Sequence, residues 1–82
     1  MLIENNAFRC CSSLKEVILP DGIEKICSYA FIHCTELKRI VVQDSVKEIG
    51  KDVFNDCPNL TIVVGKGSYA EKYCIENNLH ID

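Results

Sequence analysis

No stretch of this chain approaches the roughly 18 to 20 consecutive apolar residues that a membrane-spanning helix needs, so membrane insertion is not expected. Lys and Arg nowhere cluster, and the net charge is -3, which argues against a phosphate-binding surface and against nucleic acid as a partner. There is no Gly-rich phosphate loop, no C-x-x-C and no carboxylate pair that stands apart. Nucleotide, dithiol-redox and acid–base chemistry thus lose their usual sequence carriers, and the chain reads as non-enzymatic with no cofactor. The opening Met-Leu-Ile-Glu-Asn-Asn has neither a basic n-region nor an apolar h-region, so it is not a signal peptide. What is present is ordinary for a globular chain: 48% hydrophobic and 26% charged residues in 82 positions, enough for one domain near the small end of what folds alone.

A 23-residue period runs through that composition. Phe8, Phe31 and Phe54 are 23 apart, as are Cys11, Cys34 and Cys57; Leu14, Leu37 and Leu60; Val17, Ile40 and Val63; and Ile3, Ile26 and Ile49. Self-similarity at a fixed period of 20 to 50 residues marks a solenoid, in which each coil buries its apolar face against its neighbours. Phe8, Phe31, Phe54, Cys11, Cys34, Cys57, Leu14, Leu37 and Leu60 are therefore expected to be the core ladder. Six cysteines in a short chain would suggest a disulfide framework, but three members of one column cannot all pair. Free cysteine behaves as a small hydrophobe, and a ladder of buried, reduced thiols is the simpler expectation.

Leu14-x-x-Val17-x-Leu19 and Leu37-x-x-Ile40-x-Val42 alternate like strands, while the third copy, Leu60 and Val63, breaks at Gly65. Pro20-Asp21-Gly22 and Gln43-Asp44-Ser45 turn the chain, and Ile23, Ile26, Val46 and Ile49 supply a second apolar edge. Each Phe stands three residues before the column cysteine, a spacing that predicts a helical or 3₁₀ turn on the outer side. Stacking in this register sets Glu16 beside Arg39, Glu24 beside Lys47 and Lys25 beside Glu48. Lys15 and Lys38 place like charges together, with side chains long enough to reach water.

The period ends in a different kind of segment. Tyr69 keeps the Ile23/Val46 column, but Ser68 and Glu71 form a capping-box pattern and Ala70, Tyr73, Cys74 and Asn77 share one helix face. Asn77-Asn78 suit a helix stop, and Leu79 and Ile81 are expected to fold back over the last coil. The expected layout is one domain, 1–82, with about three coils over 1–67 and a C-terminal cap over 68–82. The N-terminal edge has no such lid, which leaves self-association through it, or a join to further coils, as an expectation.

The segments Ala30-Phe31-x-x-Cys34-x-x-Leu37-x-x-Ile40-Val41-Val42 and Val46-x-x-Ile49-Gly50, with the closing Gly67-Ser68-x-Ala70-Glu71-x-Tyr73, resemble the BspA-like class of leucine-rich repeats. The chain departs from that pattern at Val53, where the family has Ala, and at Gly65, where it has a strand hydrophobe. The resemblance implies a right-handed, slightly curved α/β coil with short parallel strands and a terminal capping helix. It also implies adhesion or protein–protein contact at a cell surface or in a secreted protein, without catalysis. It fixes no partner-binding residue.

Two columns carry functional expectations from their residues. The outward strand column Ile18, Val41 and Val64, with Ile62 beside it and Glu16 and Arg39 at its rim, would form an apolar stripe suited to a protein partner. β-branched residues also fill strands simply because they fit. Cys10, His33 and Asp56, each 23 apart, could place a thiol, an imidazole and a carboxylate together for thiol catalysis or zinc. Neighbouring positions on a coil point different ways and no oxyanion-hole pattern accompanies the trio, so a variable surface column is the stronger reading and no metal ligand is assigned. His80 is expected to be solvated in the tail.

Overall fold

A computed structural model describes all 82 residues, Met1–Asp82. Six strands and one helix follow in order: β1 (Leu2–Ile3), β2 (Glu16–Ile18), β3 (Lys25–Ile26), β4 (Arg39–Val42), β5 (Glu48–Ile49), β6 (Thr61–Val64) and α1 (Tyr69–Glu76). They make two three-stranded parallel sheets, β1-β3-β5 and β2-β4-β6. Each repeat unit gives one strand to each sheet, so the units lie one above another as rungs. The first of these sheets is built from two-residue strands at Ile3, Ile26 and Ile49, too short for any alternation to announce them.

Between the sheets the chain runs as successive turns rather than the expected helical or 3₁₀ segment. Asn6, Cys10, Tyr29, His33, Asp52 and Asp56 all take positive φ, which breaks helical continuity every few residues. The turn N–H groups then divide their work. Arg9 and Cys11 donate back three residues, to Asn6 and Phe8, while Asn6, Phe8 and Cys10 donate up to Ser28, Ala30 and Ile32 of the next rung. Tyr29, Phe31 and His33 repeat that upward pattern onto Lys51, Val53 and Asn55.

The core is densest in the middle rung, where Ile26, Ala30, Phe31, Cys34, Leu37, Ile40 and Val46 are fully buried. The three Phe rings stack, with centroids 5.1 and 6.0 Å apart and nearly parallel planes. Cysteine suits its column for a reason beyond size. Cys34 Sγ–H donates to the Phe8 carbonyl at 3.0 Å and Cys57 Sγ–H to the Phe31 carbonyl at 3.2 Å, so each thiol ties its rung to the one before. All six thiols are free. Burial pushes the Cys34 thiol up and the Cys57 and Cys74 thiols up to about 11. Gly50 is held by a close approach, since a Cβ there would lie 2.6 Å from the backbone nitrogen of Ser28.

The third strand departs from strict periodicity. Val17 pairs with Ile40 at the 23-residue offset, but Ile40 pairs with Ile62, not Val63, and Val42 with Val64. The unit is one residue shorter between Leu60 and its strand, so Ile62 takes the inward place and Val63 turns outward. Nor does Gly65 shorten the strand: β6 has four residues, like β4. Tyr69, placed by counting in the buried Ile23/Val46 column, is instead exposed, with its hydroxyl accepting from the Ile49 N–H.

The last rung is closed by α1 and the returning tail. Ser68 Oγ accepts from the Glu71 N–H at 3.1 Å, and the Glu71 carboxylate reaches past Ser68 to accept from the Gly67 N–H at 2.8 Å. The helix ends with Asn78 at φ 56°, Leu79 N–H donating to Cys74 and Asn78 N–H to Ile75, a Schellman arrangement. Ala70 and Cys74 are buried against the rung, and Tyr73 hydroxyl donates to the Gly50 carbonyl. Ile62 N–H then donates to His80 and Asp82 N–H to Ile62, adding a short parallel bridge to the edge of β6. No helix is long and apolar enough to cross a membrane.

Candidate interaction surface

The outward face of β2-β4-β6 follows from register. Ile18 pairs with Val41 and Val41 with Val63, so these three side chains line up across the sheet on the side away from the core. Ile18 is 63% exposed, and Val41 and Val63 are partly exposed. The expected stripe is corrected in two members. Ile62 is 1% exposed and belongs to the core, and Val64, opposite buried Val42, packs on the core from the same side. Val63, assigned by counting to the inward column, is the outward residue. At the strand entrance Glu16 accepts from Arg39, an exposed ion pair across adjacent rungs.

Beyond this stripe the strands leave into turns that frame an open groove of about 490 Å³, with Val41 and Val63 along its floor and Asp21, Gln43, Asp44 and Gly65 at its end. Lys25 pairs with Glu48 at 3.4 Å as the stacking predicts, whereas Glu24 and Lys47 meet through backbone, the Lys47 N–H donating to the Glu24 carbonyl.

The Cys10, His33 and Asp56 column comes only partly together. His33 Nδ1–H donates to Asp56 at 2.8 Å on the surface, but Cys10 makes no hydrogen bond to His33, and no three His, Cys, Asp or Glu side chains converge as a metal site. Backbone geometry accounts for the column. The three residues have φ of 59, 61 and 58°, a region in which Asn, Asp and His are enriched among residues other than Gly. His80 is exposed.

In the core ladder, Phe31, Cys34 and Leu37 are fully buried and Phe54 and Leu60 nearly so. Cys11, Leu14 and Cys57 are partly buried against the same core, and Phe8 is 38% exposed because no rung covers it. Around Phe8 lies a second, more apolar hollow of about 450 Å³, lined by Leu2, Ile3, Ala7, Val17 and Leu19. The carbonyls of Asn5, Ala7 and Arg9, equivalent to those that accept from the rung before in the middle unit, accept no backbone hydrogen bond here.

Short parallel strands contributed once per repeat, an aligned Leu column and a thiol column bonded to the preceding rung define a leucine-rich repeat protein. The match is specific within that class. The chain belongs to the family of the BspA type leucine rich repeat region (6 copies), whose model matches residues 1–81. No curated protein and no solved structure matches it.

Proposed function

We propose that this chain is a non-enzymatic protein-interaction or adhesion module, a right-handed solenoid in which the outward β2-β4-β6 face meets a protein partner. The right-handed sense follows the sterics that govern crossovers between parallel strands. The observation that carries the reading is the alignment of Ile18, Val41 and Val63 as a solvent-facing apolar row beside an ion pair, the make-up of an interface core with a polar rim. Val41→Glu places a charge mid-row at a partly exposed position outside the core. The variant is expected to keep its circular dichroism spectrum and unfolding midpoint while losing proteins that immobilised wild-type chain retains. Undiminished retention by folded Val41→Glu overturns the reading.

A second reading is favoured by the asymmetry of the ends. The unit formed by 1–67 with its cap over 68–82 would then terminate a longer array as its C-terminal part, with no partner of its own beyond the rung that stacks on Phe8 or a second copy joined there. The exposed Met1, Leu2 and Phe8 and the unpaired carbonyls beside them support it.

A further inference from the structure

We infer that the groove at the end of the outward stripe selects a protein segment that carries an apolar side chain followed by Lys or Arg. The inference rests on the sheet-face reading and adds the chemistry of the partner to it. Val41 and Val63 offer an apolar floor, and an extended segment presents alternate side chains to one side, as such a floor requires. The charge lies at one end. Asp21 and Asp44 occupy the same position in successive repeats, both are exposed, and neither takes part in any of the molecule's ion pairs. The cation nearest in the stripe, Arg39, is already taken by Glu16, and Lys66 beyond Gly65 pairs with neither carboxylate.

Gly65 sharpens the geometry. A Cβ at that position would lie 2.1 Å from Asp44 Oδ1, so the Asp44 carboxylate occupies the room that a side chain would otherwise fill. The exposed carboxylate thus lies over Gly65 at the groove end, where Val63 and Val64 also line the groove. In the observed register Gly65 follows Val64 as Gln43 follows Val42, so it stands just past the last inward residue of the strand. An apolar floor closed by two unpaired carboxylates repels acidic segments and favours a basic residue two positions past an apolar one, where an extended chain puts both on one face.

The test uses the full chain and two acetylated, amidated hexapeptides, Thr-Val-Thr-Val-Thr-Arg and the same peptide ending in Glu, so that only one side-chain charge differs. Binding is followed by NMR titration of the Val41, Val63 and Asp44 signals at millimolar peptide. The Arg peptide is expected to shift all three, with affinity falling about two- to fivefold in each of Asp21→Asn and Asp44→Asn, the size expected for exposed ion pairs. Gly65→Ala should mimic Asp44→Asn by displacing the carboxylate, and raising salt from about 0.05 to about 0.5 M should weaken the Arg peptide alone. Equal binding of the two peptides, indifference to both Asp→Asn changes, or no shift at Val41 and Val63 overturns the inference. If Val41→Glu still abolishes retention of a partner in that case, the interaction face stands and only its preference for a cation falls.

Discussion

The two ends of this molecule bury the same column in opposite degrees. Phe54, on the last rung, is 4% exposed beneath the helix and tail, whereas Phe8, on the first rung, is 38% exposed. Both are Phe, both stack on Phe31, and both follow the same turn geometry. The difference lies in what lies above them. The C-terminal end has a helix fixed by a Ser68 N-cap and a Schellman stop, and a tail that bonds the β6 edge. The N-terminal end shows Met1, Leu2, Phe8 and a row of carbonyls without donors. In a repeat protein stability is close to a sum of rung and rung–rung terms, so the uncovered rung should be the weakest part of the chain.

The comparison can be broken most forcefully at the Phe stack. Phe31→Ala removes a ring enclosed on both sides and should cost about 3–5 kcal/mol, while Phe8→Ala, already part-wet, should cost about 1–2 kcal/mol. Urea midpoints at constant slope measure both, and equal losses would show that the first rung is covered in solution. Amide exchange should separate the rungs next. The N–H groups of Asn6, Phe8 and Cys10 are expected to exchange well before those of Tyr29, Phe31 and His33, with sedimentation reporting whether copies join through the open end. Uniform protection in a monomer would remove the asymmetry.

At the closed end, Ser68→Ala should cost about 1 kcal/mol by releasing the Glu71 N–H. Its effect on exchange should be confined to the helix and β5, leaving the first rung unchanged. The remaining effect is a pH dependence. Burial lifts the Cys57 and Cys74 thiols to about 11 from an ordinary 9.0, so the folded chain holds these protons more tightly than the unfolded one. Their contribution is complete below pH 9 and is lost as pH rises toward 11. Denaturation midpoints measured across that window should fall, and fall less steeply in Cys74→Ala.

How far these features could be read in advance depends on whether their causes are local. The Phe, Cys and Leu columns, the capping helix and the returning Leu79 and Ile81 all follow from periodicity and capping residues. Counting by 23 misplaces the third strand because it overrides a nearer signal. Leu60, Ile62 and Val64 alternate around polar Thr61, and that period of two points Ile62 inward. The His33–Asp56 contact was legible as a column, but not the separation of Cys10 from it. Asp21, Asp44 and Gly65 carry no functional signal in the sequence, since turn residues and a glycine look ordinary until the groove they frame exists.

The amino-acid order alone determined the repeat length, the residues that must be buried and the place where the stack is capped, because each rests on local periodicity or on a side chain bonding its own backbone. Tertiary structure decided the one-residue shift in β6, the second sheet of two-residue strands, and which valine faces water. Those depend on hydrogen bonds and packing between residues 22 or 23 apart, where a single missing residue moves every side chain of a strand to its other face.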